Sequence, residues 1–214
     1  DQSKIKKLAI VGPYAFAANT GGGGSAYVVP KKSYSTFAAI KELVGDKMDI
    51  QTAIGNADTL LLDFFDQSKM DGKGFKCEYF NNRLLQGKPA LVKMENHFDL
   101  KFDQSLGNGI KMDSLSARFT STFTAPNTGF YKLGVSGTDG FRVYINDSLI
   151  FNELKYLGTE TLRNKTIQLV GGQRINLRVE YRQTCPESIL RVAIHSTPKD
   201  PLKQAVDIAA NADA

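Results

Sequence analysis

Tryptophan is absent from these 214 residues, and histidine and cysteine occur twice each. Cys77 and Cys185 belong to no Cys-x-x-Cys pair, which argues against zinc and thioredoxin-type chemistry. Both flank expected strands, so a disulfide and two buried free thiols stay open as readings. His97 and His195 stand alone and far apart, as surface or internally satisfied histidines do more often than ligands. No apolar run approaches the roughly 20 residues of a spanning helix, so no membrane partner is expected. Asp1-Gln2-Ser3-Lys4 carries no apolar signal-peptide core. The net charge of +5 comes from scattered lysines with no basic run interleaved with aromatics, so no nucleic-acid partner is expected either. A hydrophobic content of 42% supports a globular chain with a real core, in one large or two small domains.

What the chain does have is a strand running into glycines. Leu8-Ala9-Ile10-Val11 is a short unbroken apolar run, suited to a parallel strand covered on both faces, and Gly12-Pro13 ends it. Gly21-Gly22-Gly23-Gly24-Ser25 follows. Four consecutive glycines lose much entropy on ordering, which points to backbone held close to something. Nucleotide loops fit poorly. Eight residues separate Gly12 from Gly21, Tyr27-Val28-Val29-Pro30 reads as extended, and Gly24 precedes Ser25-Ala26 instead of Lys-Ser/Thr.

Lys7-Leu8-Ala9-Ile10-Val11-Gly12-Pro13 with Gly-Gly-Gly-Gly-Ser-Ala-x-Val-x-Pro resembles the opening of the C-terminal α/β domain of family 3 glycoside hydrolases, of which β-glucosidases are the commonest members. Tyr14 departs from the pattern, which often has Asn there. The resemblance implies that the glycine loop, with Gly23, Gly24 and Ser25, lies near a catalytic cleft.

Residues 1–70 read as α/β. Phe37, Ile40, Leu43 and Val44 have helical spacing, with Ser33 or Ser35 to cap the start and Gly45 to stop it. Met48–Gly55 alternates as a second strand. Leu60-Leu61-Leu62 and Phe64-Phe65 suggest a short helix or irregular bridge. From Gly72 the pattern becomes all-β. Strands are expected at 75–80, 117–124, 130–136, 141–145, 148–151, 166–170, 174–181 and 189–194, with a two-residue hairpin turn at Asn146-Asp147. Short strands at regular spacing predict an antiparallel sandwich. Pro198 and Pro201 mark the exit, Asp200 is placed to cap, and Leu202, Ala205, Val206, Ile208 and Ala209 form a helical stripe. No strand follows before Ala214, which predicts an excerpt of a longer protein.

Within the β region, Phe75–Asn82, Ser116–Thr120, Asn127–Tyr131, Thr138–Asp147 and Gly171–Tyr181 resemble, in order, the motifs of a PA-fourteen domain, the β-sandwich first named from anthrax protective antigen. Phe119 stands where that family usually has Trp. Such a sandwich inserted in the α/β domain is known among family 3 β-glucosidases, so the two resemblances agree. The expected fold is therefore α+β in parts. Residues 1–70 begin the α/β domain, 71–197 form the inserted sandwich, and 198–214 return to the α/β domain.

The function implied is that of a segment of a retaining β-glucosidase-type enzyme, acting on an oligosaccharide or β-glycoside. Its catalytic Asp and Glu are expected outside the segment, leaving no catalytic residue here and no hydrolysis by the segment alone. The sandwich would cap the cleft or bind sugar, with Asp139, Asn152 and Tyr156 as candidate contacts; Tyr156 offers an apolar face and a hydroxyl. The alternatives are a non-catalytic carbohydrate-binding or adhesion module and a purely structural insert. No cofactor is expected. Calcium in the adhesin branch needs paired aspartates, and Thr138-Asp139 supplies one. The remaining domains of the same enzyme are the expected partners, a homo-oligomer is compatible, and the family implies a secreted or periplasmic location.

Overall fold

The computed structural model describes residues 4–12, 15, 31–55, 74–95, 98–102, 106–107, 109–155, 157–184 and 188–214. Two compact units emerge, Asp1–Leu61 with Pro198–Ala214, and Leu62–Thr197.

The first unit is built on two strands, β1 (Lys7–Val11) and β2 (Asp49–Ala53), paired in parallel with Leu8 opposite Ile50 and Ile10 opposite Thr52. Between them runs helix α1 (Thr36–Val44), started by Ser35, whose hydroxyl accepts from the Ala38 N–H at 3.1 Å. It ends at Gly45 with φ +57°, a conformation glycine adopts without Cβ strain. Helix α2 (Pro201–Ala210) is capped by Asp200, whose carboxylate accepts from Lys203 N–H at 2.9 Å, and has Pro at its first turn. The stripes differ from expectation. Leu43 is 79% exposed, Leu202 64% and Val206 58%, while Ala205 is buried at 4%. α2 rests on β1 and β2 with Ala205 buried and Ile208 half-buried. The residues after α2 then lie along β1: Ala214 O accepts from Ala9 N–H at 2.8 Å, and Asp213 N–H donates to Lys7 O at 2.9 Å. Within the described residues the parallel part is this small sheet with its helices. Residues 60–65 and the glycine loop lie outside them.

Among the described residues, every strand pair of the second unit is antiparallel. Its strands are β3 (Phe75–Phe80), β4 (Leu91–Glu95), β5 (Asp99–Phe102), β6 (Ser116–Thr124), β7 (Gly129–Gly137), β8 (Gly140–Ile145), β9 (Ser148–Glu153), β10 (Thr161–Leu169), β11 (Arg174–Arg182) and β12 (Ser188–Thr197). They form a six-stranded sheet in the order β4-β3-β6-β11-β8-β9 and a four-stranded sheet in the order β10-β7-β12-β5. Alternation sets the faces. In β11, Ile175, Leu177, Val179 and Tyr181 point inward at 2% exposure or less, leaving Arg174, Asn176, Arg178, Glu180 and Arg182 on the other face. Leu133, Val135, Leu190 and Val192 answer from the four-stranded sheet, giving one contiguous core between two sheets.

Aromatic rings pack that core at one end. Phe119 is fully buried between Tyr79 (centroids 5.9 Å apart) and Phe98 (4.9 Å), and Phe98 meets Phe75 at 4.4 Å, all edge to face. An aromatic thus fills the place where the PA-fourteen pattern usually has tryptophan. Cys77 lies beside them as a free, buried thiol, and burial pushes it up to about 12. Cys185 and His97 lie outside the described residues; His195 is half-buried on β12.

The expected hairpin at Asn146-Asp147 is present, with φ +47° and +64° as a primed two-residue turn requires. Strands β4 and β5 are additional to those the sequence pattern marks. Both are edge strands, and in β4 the apolar Val92 and Met94 are each 50% exposed.

Candidate functional site

Of the residues proposed from sequence, Gly23, Gly24, Ser25 and Tyr156 lie outside the described residues, whereas Asp139 and Asn152 are described. Asp139 occupies the tight corner between β7 and β8. It is fully buried. Its carboxylate accepts from the Thr184 N–H at 3.0 Å, from the Tyr181 hydroxyl at 3.4 Å and from the Thr184 hydroxyl. The neighbouring Thr138 hydroxyl accepts from the Ile189 N–H at 3.1 Å. Tyr181 also shares a hydrogen bond with the Ser188 hydroxyl and stacks on Phe102, with centroids 4.5 Å apart. A buried carboxylate is tolerable when hydrogen-bonded in this way. Asp139 therefore ties the β7–β8 corner to the end of β11, as Thr138 ties it to β12, and the Asp139 oxygens face protein donors instead of solvent.

The residue after it is glycine for a steric reason. A Cβ on Gly140 would lie 2.8 Å from the Leu154 carbonyl carbon and oxygen. The chain beyond β9 thus passes directly over the corner, and Leu157 N–H donates to Thr138 O at 3.1 Å. Corner and crossing chain position each other.

Asn152 is exposed on β9 and lies opposite Arg142 on β8, whose Nε donates to Asn152 Oδ1 at 3.2 Å. Arg142 is itself 3.5 Å from Glu180. The registers extend this pair into a row across the outer face of the six-stranded sheet, Glu78, Arg118, Glu180, Arg142 and Asn152, one residue per strand. Charges alternate along it, with Arg118 3.5 Å from Glu78, and each such cross-strand pair contributes about 0.2–1 kcal/mol. Glu180 further accepts from the Tyr144 hydroxyl at 3.3 Å and pairs with Arg178, whose guanidinium lies 3.7 Å from the centre of the Tyr144 ring. Sequence reasoning found Asn152 and missed the row. Its members are spread over five strands, and their adjacency exists only once register is known. Chemically, the row ends in an amide and a guanidinium, groups that hydrogen-bond hydroxyls and anions. Among the described residues, no group of three His, Cys, Asp or Glu is placed to hold a metal ion.

Comparison with known proteins follows from this fold. The PA14 domain family matches residues 71–205. A β-glucosidase from Rhizobium radiobacter is 24% identical over 189 residues, covering 84% of this chain and 22% of that protein. A xylan 1,4-beta-xylosidase from Xylanibacter ruminicola is 24% identical over 116 residues, covering 52% of this chain and 13% of that protein. The chain thus spans less than a quarter of the length of these relatives. Among solved structures, the β-glucosidase from Kluyveromyces marxianus in complex with glucose superposes with a TM-score of 0.67 at 21% identity, covering 98% of this chain and 27% of that one. An anti-sigma factor domain-containing protein from Clostridium clariflavum superposes with a TM-score of 0.53 at 21% identity, covering 71% of this chain and 52% of that one.

Proposed function

The chain belongs to the PA14 domain family, and from that premise we propose that it is the cleft-side segment of a retaining β-glucosidase-type enzyme. The observation that carries this reading is the extent of the likeness. It covers 98% of the chain in a β-glucosidase structure, and so takes in the parallel unit as well as the sandwich. A free-standing sugar-binding module would have no need of the parallel unit.

In this reading the parent enzyme's nucleophile and acid/base carboxyls lie on its other domains, and the chain itself hydrolyses nothing. Double displacement by that pair requires carboxyls about 5–5.5 Å apart. The parts supplied here bind and orient. Gly12, with φ +127°, turns the chain at the carboxyl end of β1, where parallel sheets present their ligand-binding loops. The loop beyond it brings the backbone of Gly23 and Gly24 and the Ser25 hydroxyl to the sugar. Tyr156 stacks on a sugar ring and Asn152 donates to its hydroxyls, so that the sandwich caps the cleft. Asp139 acts as a positioning residue, holding the corner that Leu154 passes over and Leu157 is bonded to. No cofactor enters this account. Calcium fits poorly, since the Asp139 oxygens already accept from Thr184 and Tyr181. The enzyme's remaining domains as partners and its secreted or periplasmic setting belong to the same proposal.

The test is hydrolysis of an aryl β-glucoside and of longer β-linked oligosaccharides by the protein with its flanking domains. Asn152→Ala and Tyr156→Ala are expected to raise KM for the oligosaccharides and leave kcat on the aryl glucoside unchanged. Unchanged KM in both variants overturns the cap. A non-catalytic carbohydrate-binding module is the second reading, favoured by the PA14 family match, which leaves out residues 1–70 of the parallel unit. It predicts retention on immobilised glycan without hydrolysis.

A further inference from the structure

At the end of the outer face nearest the β7–β8 corner lies a cleft of about 270 Å³, bordered by Arg83, Leu84, Arg142, Leu154, Glu180 and Arg182. Three guanidinium groups meet one carboxylate there, leaving the lining net positive. Their commitments differ. Arg142 is held by Asn152 and Glu180. Arg83 donates from Nη2 to the Asp113 carbonyl at 2.8 Å. Arg182 Nε is buried and has no hydrogen-bond partner among the described residues. A buried charged donor left unmade is costly and asks for an explanation.

The rim of the cleft is held in place before any ligand arrives. Leu85 sits at φ +57°, an unusual backbone for a branched, non-glycine residue. Asn82 Oδ1 accepts from the Leu84 and Gln86 N–H groups at 3.0 Å each, and Leu85 N–H donates to the Ser116 hydroxyl at 3.1 Å. Ser116 lies directly opposite Arg182 in the β6–β11 register. The loop is thus anchored beside the residue whose Nε is unpartnered. Strain maintained by surrounding hydrogen bonds is typical of ligand clamps. Leu84, 64% exposed, and Leu154 add an apolar edge.

We propose that this cleft binds an acidic saccharide, its carboxylate seated on the Arg182 and Arg83 guanidinium groups and its ring against Leu84 and Leu154. Arginine's planar fork matches a carboxylate in two parallel hydrogen bonds, which neutral sugars cannot use. The proposal rests on the carbohydrate reading above and narrows it, giving the sandwich a uronate-bearing glycan as its ligand class.

The test is a heteronuclear NMR titration of the full chain with methyl β-glucuronide, methyl β-glucoside and inorganic sulfate. Methyl β-glucuronide is expected to shift the amides of residues 83–86 and the Arg182 Nε–H. It should bind at least about tenfold more tightly than the glucoside, as one charge-assisted hydrogen bond supplies. Binding should weaken as salt rises toward about 1 M, where screening shortens to about 3 Å. Arg182→Gln should abolish the preference, and Arg83→Gln, on an exposed loop where folding is not at stake, should reduce it. Equal binding of glucuronide and glucoside, indifferent to both variants, overturns the acidic-ligand proposal and leaves the carbohydrate reading standing. Sulfate binding as tightly as the glucuronide overturns it too, since the ring would contribute nothing. Absence of shifts in the cleft with all three ligands overturns it outright.

Discussion

A methyl group at position 140 has nowhere to go. The Leu154 backbone would stand 2.8 Å from it, and neither chain can retreat, because Leu157 is bonded back to Thr138. Gly140→Ala is therefore expected to destabilise the fold by about 1–3 kcal/mol, the cost typical of overpacking, as read by chemical denaturation. Cys77 gives a second test at this scale. Burial raises its thiol from 9.0 to about 12, so the folded state keeps a proton that the unfolded chain would lose. The stability this contributes is fully present below pH 9.0 and is lost as pH rises toward about 12. At pH 8 iodoacetamide is expected to leave Cys77 unmodified in the native protein and to alkylate it after denaturation, as peptide mapping would show. Native labelling would contradict its burial. Asp139 shows where residue-level reading of sequence stops. Asp-Gly in a polar stretch looks like an exposed turn. Its burial follows from Thr184 and Tyr181, more than forty positions away, and no local pattern carries that.

At the scale of elements, local signals served well wherever the element is fixed by its own residues. Ser35, Gly45 and Asp200 cap the helices as their types dictate, and Asn146-Asp147 closes its hairpin. They failed where a neighbour decides. β4 and β5 are edge strands that owe their existence to β3 and β12, and the expected stripes of α1 and α2 contain residues left open to solvent. The stretch after α2 is another such case. Asp213 accepts from the Lys6 and Lys7 N–H groups at 2.8 and 2.9 Å, and these bonds hold its carboxyl below the ordinary 3.8. A depressed carboxyl contributes stability above its unfolded pKa and loses it as pH falls through the folded value. The tie between residue 213 and β1 is thus expected to persist at pH 3.8 and to release in stronger acid. The Lys6 and Lys7 amide shifts should titrate together with a midpoint below 3.8. A midpoint at or above it would mean the tie does not form. In Asp213→Asn this titration should vanish.

On the scale of the whole molecule, the chain forms two compact units. A parallel pair with helices comprises residues from both ends of the chain, and an antiparallel sandwich is made from its middle. In the proposed reading the sandwich adjusts recognition rather than chemistry. The measurement that tests this most directly is kcat/KM along a ladder of β-linked oligosaccharides. It would compare the protein and its flanking domains with the same protein carrying a short linker in place of residues 75–197. The account predicts that hydrolysis of an aryl β-glucoside survives the replacement while the preference among oligosaccharide lengths changes. An unaltered length profile, or no hydrolysis by the intact protein, would contradict it.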